Sequence, residues 1–274
     1  MRGQGMDCAS FVRSPRFPAV AFHSHEEFQT YRAEKLAYLQ GRDAYHETLA
    51  TTGPSLTGKG TCAPCLRPVE FRSSMEDAVE LKDGRRIPDW NRQMRCTCDD
   101  ALTGQERALI HFLQATVLAP WTQSLLLGPC SITRRIADLV GSAKQVPRLQ
   151  SSAAPAIDAP DVNFHLVVSQ NYLQVVPSLQ VALAEIFRVL VTGGRFVFTI
   201  PFQFAAASSE LMTPGAFSFA RELPVELRGA EHQLGWDLLP MLRKIGFRQA
   251  TAYLYWSEEL GYLGSTNFIF KAVK

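Results

Sequence analysis

The clearest alternation of apolar and polar positions lies between Phe164 and Phe202. Leu166, Val167 and Val168 form a short β-branched run closed by Ser169, which reads as a buried strand. Leu179, Ala182, Leu183, Ile186, Phe187 and Leu190 then recur at i, i+3, i+4, i+7, i+8 and i+11, one face of an amphipathic helix. Gly193 and Gly194 are placed to stop that helix, because glycine takes a left-handed cap at little cost. Phe196–Ile200 reads as a second buried strand, ended by Pro201. Strand, helix and strand with short joints make a right-handed βαβ unit, so the two strands are parallel neighbours in an α/β sheet.

Weaker patterns fill in the rest. Residues 1–20 show no periodicity and read as an irregular arm. His25–Leu49 is helical, with Phe28, Tyr31, Leu36 and Leu39 as a stripe, a possible break at Gly41, and Ser24 with Glu27 as a capping box. A helix is expected over about Gly104–Leu118. Ser124–Leu127 reads as a strand, followed by a helix that buries Ile132, Ile136 and Leu139. Leu238, Leu239, Leu242 and Ile245 give Gly235–Ile245 an apolar face, and Ala252–Trp256 with Phe268–Phe270 form an expected antiparallel pair. The stretch after Pro201 is a long loop in the place of a lid, with Glu210, Arg221, Glu222, His232 and Gln233 as its polar candidates.

Cysteine spacing adds chemistry. Cys62 and Cys65 form a C-x2-C knuckle, and Cys96 and Cys98 follow thirty residues on. A knuckle bends the backbone so that two thiolates reach one ion, and a second pair completes a tetrahedral sulfur shell. Between the pairs, Val69–Arg72 and Val79–Leu81 flank a Lys82-Asp83-Gly84 turn, which suits the hairpins of a ribbon. The reading is structural zinc on Cys62, Cys65, Cys96 and Cys98, with Asp99 able to replace one sulfur. A redox or catalytic role, or unmetallated thiols, are the alternatives. Cys8 stands alone as a free thiol. His23, His25 and His46 lack ligand spacing and read as surface or packed histidines.

A net charge of +2 is too mild to indicate nucleic acid or a membrane surface as partner. No apolar run approaches the roughly 20 residues that span a bilayer, and the N-terminus lacks a secretory pattern. A cytoplasmic protein acting on a small molecule is expected.

FHLVVSQNYLQVVPSLQVALAEIFRVLVTGGRFVFTIPF resembles the segment of class I S-adenosylmethionine-dependent methyltransferases written FDLVxSxxVLEHVPDxxxALxExxRVLKPGGxLxxTxPF. GTCAPCLRPVEF and PDWNRQMRCTCDDALTGQERALIHFL resemble the zinc-ribbon insert that precedes some bacterial methyltransferase domains. The resemblance implies a Rossmann-like, mostly parallel sheet, preceded by a helical arm and a small zinc-ribbon module. The corresponding divisions are 1–57, 58–103 and 104–274. It implies S-adenosylmethionine at the carboxyl ends of the strands, near Gly128, Ser131, Ser169, Gln170 and Asn171, and methyl transfer to an O or N of a small molecule or sugar. EHQLGWDLLPMLRKIGF is similar to a segment of zinc-ribbon methyltransferases in which His232 would be the general base. Tyr255-Trp256-Ser257 and Gly261–Gly264 are similar to a YWS and GYLG signature of the same group, which puts Trp256 and Tyr262 on the cleft wall. Read as residues alone, His232 is a structural or surface histidine, and both aromatics are core or cleft-wall packing.

The chain departs from this family on the cofactor side. The family's acidic residue and G-x-G-x-G turn after the first strand are reduced to Gly128, followed by Pro129, Cys130 and Ser131. Cys130 is either a nucleophile at a helix N-terminus or a packed cysteine. Between Gly141 and Phe164, where the family fits two strands, two helices and an acid for the ribose, the only carboxylates are Asp158 and Asp161. The sheet should therefore be abbreviated in its middle. Phe164-His165 replaces Phe-Asp, and Leu173-Gln174-Val175 replaces Leu-Glu-His. The alternative function is a repurposed fold that no longer uses S-adenosylmethionine and either catalyses another reaction in the same cleft or binds a partner.

Overall fold

A computed structural model describes residues 15–76, 78–116, 123–128, 131–140, 142–146, 156–212, 231–265 and 267–274. The N-terminal part holds β1 (Ala19–Phe22), α1 (His25–Glu34) and α2 (Leu36–Thr48). Next come β2 (Ser55–Cys62), β3 (Arg67–Ser74), β4 (Val79–Glu80), β5 (Arg86–Ile87), α3 (Trp90–Gln93), β6 (Met94–Cys96) and α4 (Gly104–Thr116). The following elements are β7 (Gln123–Leu127), α5 (Thr133–Val140), β8 (Ser142–Val146), β9 (Phe164–Gln170), α6 (Leu179–Val189) and β10 (Leu190–Thr199). The chain closes with β11 (Glu210–Met212), β12 (Glu231–Gln233), α7 (Leu238–Ile245), β13 (Gln249–Tyr255) and β14 (Phe268–Val273).

One seven-stranded sheet runs β1-β13-β14-β10-β9-β7-β8. β8, β7, β9 and β10 are parallel, while β14 runs antiparallel to both β10 and β13, and β1 antiparallel to β13. Five of the seven strands therefore point one way, as expected for a Rossmann-like sheet. The apolar runs of β9 and β10 need cover on both faces, and they have it. Val167, Phe196 and Phe198 pack with Leu183 and Ile186 of α6 on one side. Leu166, Val168 and Val197 pack with Leu109, Phe112 and Leu113 of α4 on the other. Each fully buried side chain of this kind contributes roughly 1.5–3 kcal/mol, so Ile186→Ala, at 0% exposure, should cost about 2–5 kcal/mol.

Several expected boundaries shift. α6 stops at Val189, and Leu190 already has extended backbone. The Gly193-Gly194 pair serves an irregularity of β10 instead, where the register with β9 shifts between Leu190 and Arg195. Gly193 has φ +76° and its N–H donates to the Lys274 carbonyl, while a Cβ on Gly194 would sit 2.7 Å from the Val191 carbonyl oxygen. The pair therefore lets the strand bulge around the last residue. The first helical stretch breaks at Lys35, not at Gly41, which lies inside α2. Ser24 does cap α1, accepting the Glu27 N–H at 3.1 Å. The arm contributes a strand that periodicity missed: β1 lines the sheet edge with Ala19 opposite Tyr255.

The cysteine-bearing segment forms a three-stranded sheet, β2-β3-β6, and a β4-β5 hairpin. β3 pairs with β2 across the Cys62–Cys65 knuckle rather than across Lys82-Asp83-Gly84. The latter turn, with Gly84 at φ +81°, joins β4 to β5.

Candidate functional site

Along β8-β7-β9-β10 the strand order reverses between β7 and β9. Open α/β sheets receive ligands outside the carboxyl ends of the strands at such a point, because the connections leave in opposite directions and open a crevice. Gly128 follows β7, Ser169 and Gln170 end β9, Asn171 follows them, and Ser131 precedes α5. The fold thus brings these five expected cofactor residues to one edge, with Ser131 Oγ 3.5 Å from Gln170 Oε1.

The chain's own side chains fill that edge. Gly128 has φ +87°, and a Cβ there would lie 2.5 Å from the ring of Tyr172, itself 3% exposed. The N-terminus of α4 lies across the remaining opening. Thr103 and Glu106 form its capping box, Thr103 N–H donating to Glu106 Oε2 at 2.7 Å and Glu106 N–H to Thr103 Oγ1 at 3.3 Å. The other oxygen of Glu106 accepts the Ser131 hydroxyl. Gln105 and Asn171 exchange amide hydrogen bonds of 2.6 and 3.3 Å. The T-G-Q-E box is legible in sequence as a helix start, but its partners across the crevice are not.

No carboxylate directly follows β8, where one would meet a ribose. Residues 147–157 contain neither Asp nor Glu. Asp158 is exposed, and Asp161 bonds Arg188 at 2.6 Å near the amino end of β9, the opposite edge of the sheet.

Beside this edge a crevice of about 270 Å³ opens over the ends of β10 and β13 and the start of β14. Asn91, Gln105, Asn171, Asn267 and Tyr255 line it with Phe202 and Phe268, and Asp89 and Arg92 also face it. Asn91 Nδ2 donates to Asn267 Oδ1 at 2.5 Å, and Asn267 Nδ2 to the Leu263 carbonyl at 2.7 Å. Burial pushes the Tyr255 hydroxyl up, so it stays a protonated donor.

The three expected catalytic residues do not meet there. His232 lies on β12 with Nε2 2.9 Å from the Val176 carbonyl oxygen. Trp256 donates its indole N–H to His46 Nε2 at 3.1 Å, with the Arg42 guanidinium 5.0 Å over its ring. Tyr262 is 1% exposed, with its hydroxyl 3.1 Å from His111 Nδ1 and donating to the Arg107 carbonyl. Cys8, Pro129, Cys130, Arg221 and Glu222 lie outside the described residues.

The cysteines do converge. The sulfurs of Cys62, Cys65 and Cys98 lie within 4.8 Å of one another, and Cys96 is hydrogen-bonded to Cys62 and Cys98. The hydrogen bond shared with Cys62, with the Arg107 charge nearby, holds the Cys96 thiol below the ordinary range while Cys62 is pushed up. Arg135 Nη2 reaches Cys65 Sγ at 3.2 Å, and Arg67 bonds Cys98. Cys62, Cys65 and Cys98 could hold a metal ion, while Cys96, the fourth expected ligand, lies beside that group rather than within it. Asp99, the possible substitute ligand, is instead 99% exposed at its side chain and 3.7 Å from Arg67.

A family model described as a methyltransferase domain matches residues 131–198, about a quarter of the chain. No curated protein matches. Among solved structures, the chain is similar to an S-adenosylmethionine-dependent methyltransferase from Mesorhizobium loti (14% identity, 63% of this chain and 98% of that one, TM-score 0.40). It is also similar to one from Thermotoga maritima (13%, 61% and 87%, TM-score 0.37) and one from Aquifex aeolicus (12%, 60% and 88%, TM-score 0.38). These likenesses, all below a TM-score of 0.5, say nothing about ligand or reaction. The mixed, mostly parallel sheet and the matched βαβ segment give the chain a class I methyltransferase-like fold.

Proposed function

We propose that this chain is a methyltransferase fold that no longer seats S-adenosylmethionine and instead binds a small polar molecule in the amide-lined crevice. The closed β7–β9 edge carries this reading: Tyr172 occupies the space against Gly128, Glu106 takes Ser131, and Gln105 takes Asn171. The residues present do not fit the cofactor, since the close backbone approach is blocked and no acid stands directly after β8, where it would accept two ribose hydroxyls. The neighbouring crevice, at about 270 Å³, is slightly below the roughly 300–1,000 Å³ of drug-sized sites, which points to a compact ligand. Its amides offer donors and acceptors without dominant charge, and Phe202 and Phe268 supply an apolar wall.

Zinc is the ion proposed for Cys62, Cys65, Cys96 and Cys98. Four sulfurs leave no open position, so the role is structural.

The competing reading is methyl transfer to an O or N of a small molecule or sugar. It is favoured by the matched segment 131–198, which contains Ser131, Ser169, Gln170 and Asn171.

A thermal-shift screen of small neutral polar compounds against the zinc-loaded chain tests the site. A ligand of the crevice raises Tm in wild type and loses that effect in Asn91→Ala and Gln105→Ala. A stabilising compound whose shift survives both substitutions contradicts the assignment.

A further inference from the structure

Arg42 is a charged side chain at 5% exposure inside α2. A guanidinium carries five N–H donors. Among the described residues Arg42 uses one group, Nη2, which donates to the Gly264 carbonyl at 3.1 Å, while its buried Nε has no partner. The rings of Trp256 and Tyr38 lie 5.0 and 5.9 Å from it, and no described carboxylate bonds it. Arginine is almost never this buried unless its charge is paired.

Arg42 lines a pocket of about 130 Å³ between α1–α2 and the carboxyl end of β13. The break at Lys35 keeps Arg32, Leu36, Leu39 and Asp43 at i, i+4, i+7 and i+11, one stripe along this pocket. Phe28 and Leu254, both buried, and Phe204 complete an apolar lining. A second guanidinium, that of Arg32, lies 5.3 Å over Phe204 and 5.8 Å over Phe28, again with no described carboxylate bonded to it. The acid on the rim, Asp43, is exposed and hydrogen-bonds neither arginine, so solvent screens it.

We propose that this pocket binds a small apolar carboxylate, its ring or short chain against Phe28 and Leu254 and its carboxyl group on Arg42, with Arg32 beside it. An engineered cavity of about 150 Å³ takes up benzene, so the volume suits one small ring. The anion supplies the counter-charge that the fold omits, and the planar fork of a guanidinium matches a carboxylate. An inorganic anion would leave the apolar lining wet, and an alcohol would leave the charge unpaired. The pocket shares no lining residue with the amide-lined crevice and none with the cysteine cluster.

Isothermal titration of benzoate and of benzyl alcohol, its neutral counterpart, into the folded chain tests this. Benzoate should bind saturably and benzyl alcohol roughly 10- to 100-fold more weakly, the worth of hydrogen bonds to a charged group. Arg42→Met should weaken benzoate by a similar factor and leave benzyl alcohol unchanged, and Arg42→Lys should recover part of the loss. Should Arg42→Met not fold, Arg32→Gln gives the second reading, a loss for benzoate of about two- to five-fold, as for an exposed ion pair. No saturable benzoate binding, equal affinity for the two compounds, or benzoate affinity undiminished in the variant that folds overturns the proposal.

Discussion

At the scale of single residues, Gly128 decides most. Its φ of +87° and the Tyr172 ring 2.5 Å from a Cβ position leave no substitute for glycine. Gly128→Ala should destabilise by about 1–3 kcal/mol through backbone strain and the clash, read as a fall in Tm. A Tm equal to wild type would mean that Tyr172 does not pack there. The glycine was legible in sequence as a turn, but Tyr172 was not legible as its filler, since no local pattern reports a contact between two strand ends. The cysteines were legible because ligand spacing is itself local. The YWS and GYLG segments located aromatics without giving their direction. Tyr255 faces the crevice, whereas Tyr262 turns into the core beside Arg107. Arg107 is one of the residues that match the zinc-ribbon insert, but its burial was not legible, because an arginine in a helix is ordinarily a solvated residue.

At the scale of elements, α2 carries a pH dependence. His46, 5% exposed, accepts N–H bonds from Trp256 and Gly264, and burial, followed by the Arg42 charge, lowers it to about 4. Asp43 opposes the shift. Its folded-state value lies below the ordinary 6.5, so the unfolded chain takes up the proton first. The contribution is complete above about pH 6.5 and is lost as pH falls toward 4, by up to about 3 kcal/mol. Calorimetry from pH 7.5 to 4.5 should show this slope in wild type and a flatter one in His46→Gln; equal slopes contradict it. The sheet β2-β3-β6 carries the metal prediction. Elemental analysis should give one zinc per chain, Cys62→Ser should remove it, and a strong chelator should lower Tm; a chain loaded in zinc that retains none contradicts it. Element type was well specified wherever periodicity was long, as in β9, α6 and β10. Boundaries failed where tertiary pairing decided them. Val189 ends α6 because Leu190 already pairs with Phe164, and β1 exists because β13 offers an edge.

At the scale of the whole molecule, the sheet retains the architecture of a methyltransferase-like protein, and the order reversal between β7 and β9 retains its crevice. Composition and periodicity specify that much, since a parallel core needs continuous apolar runs and short joints. The closing of the crevice depends on α4, whose capping residues reach β9 and the start of α5 from a segment far upstream. No helix among the described residues is long and apolar enough to cross a membrane. The central claim is that the cofactor edge is closed by Tyr172, Glu106 and Gln105. Isothermal titration of S-adenosylmethionine and S-adenosylhomocysteine into folded, zinc-loaded protein tests it most directly. The account predicts no saturable heat from either, a Kd weaker than about 1 mM, which is less than about 4 kcal/mol of binding. Saturable binding in the micromolar range would contradict it and restore methyl transfer as the function.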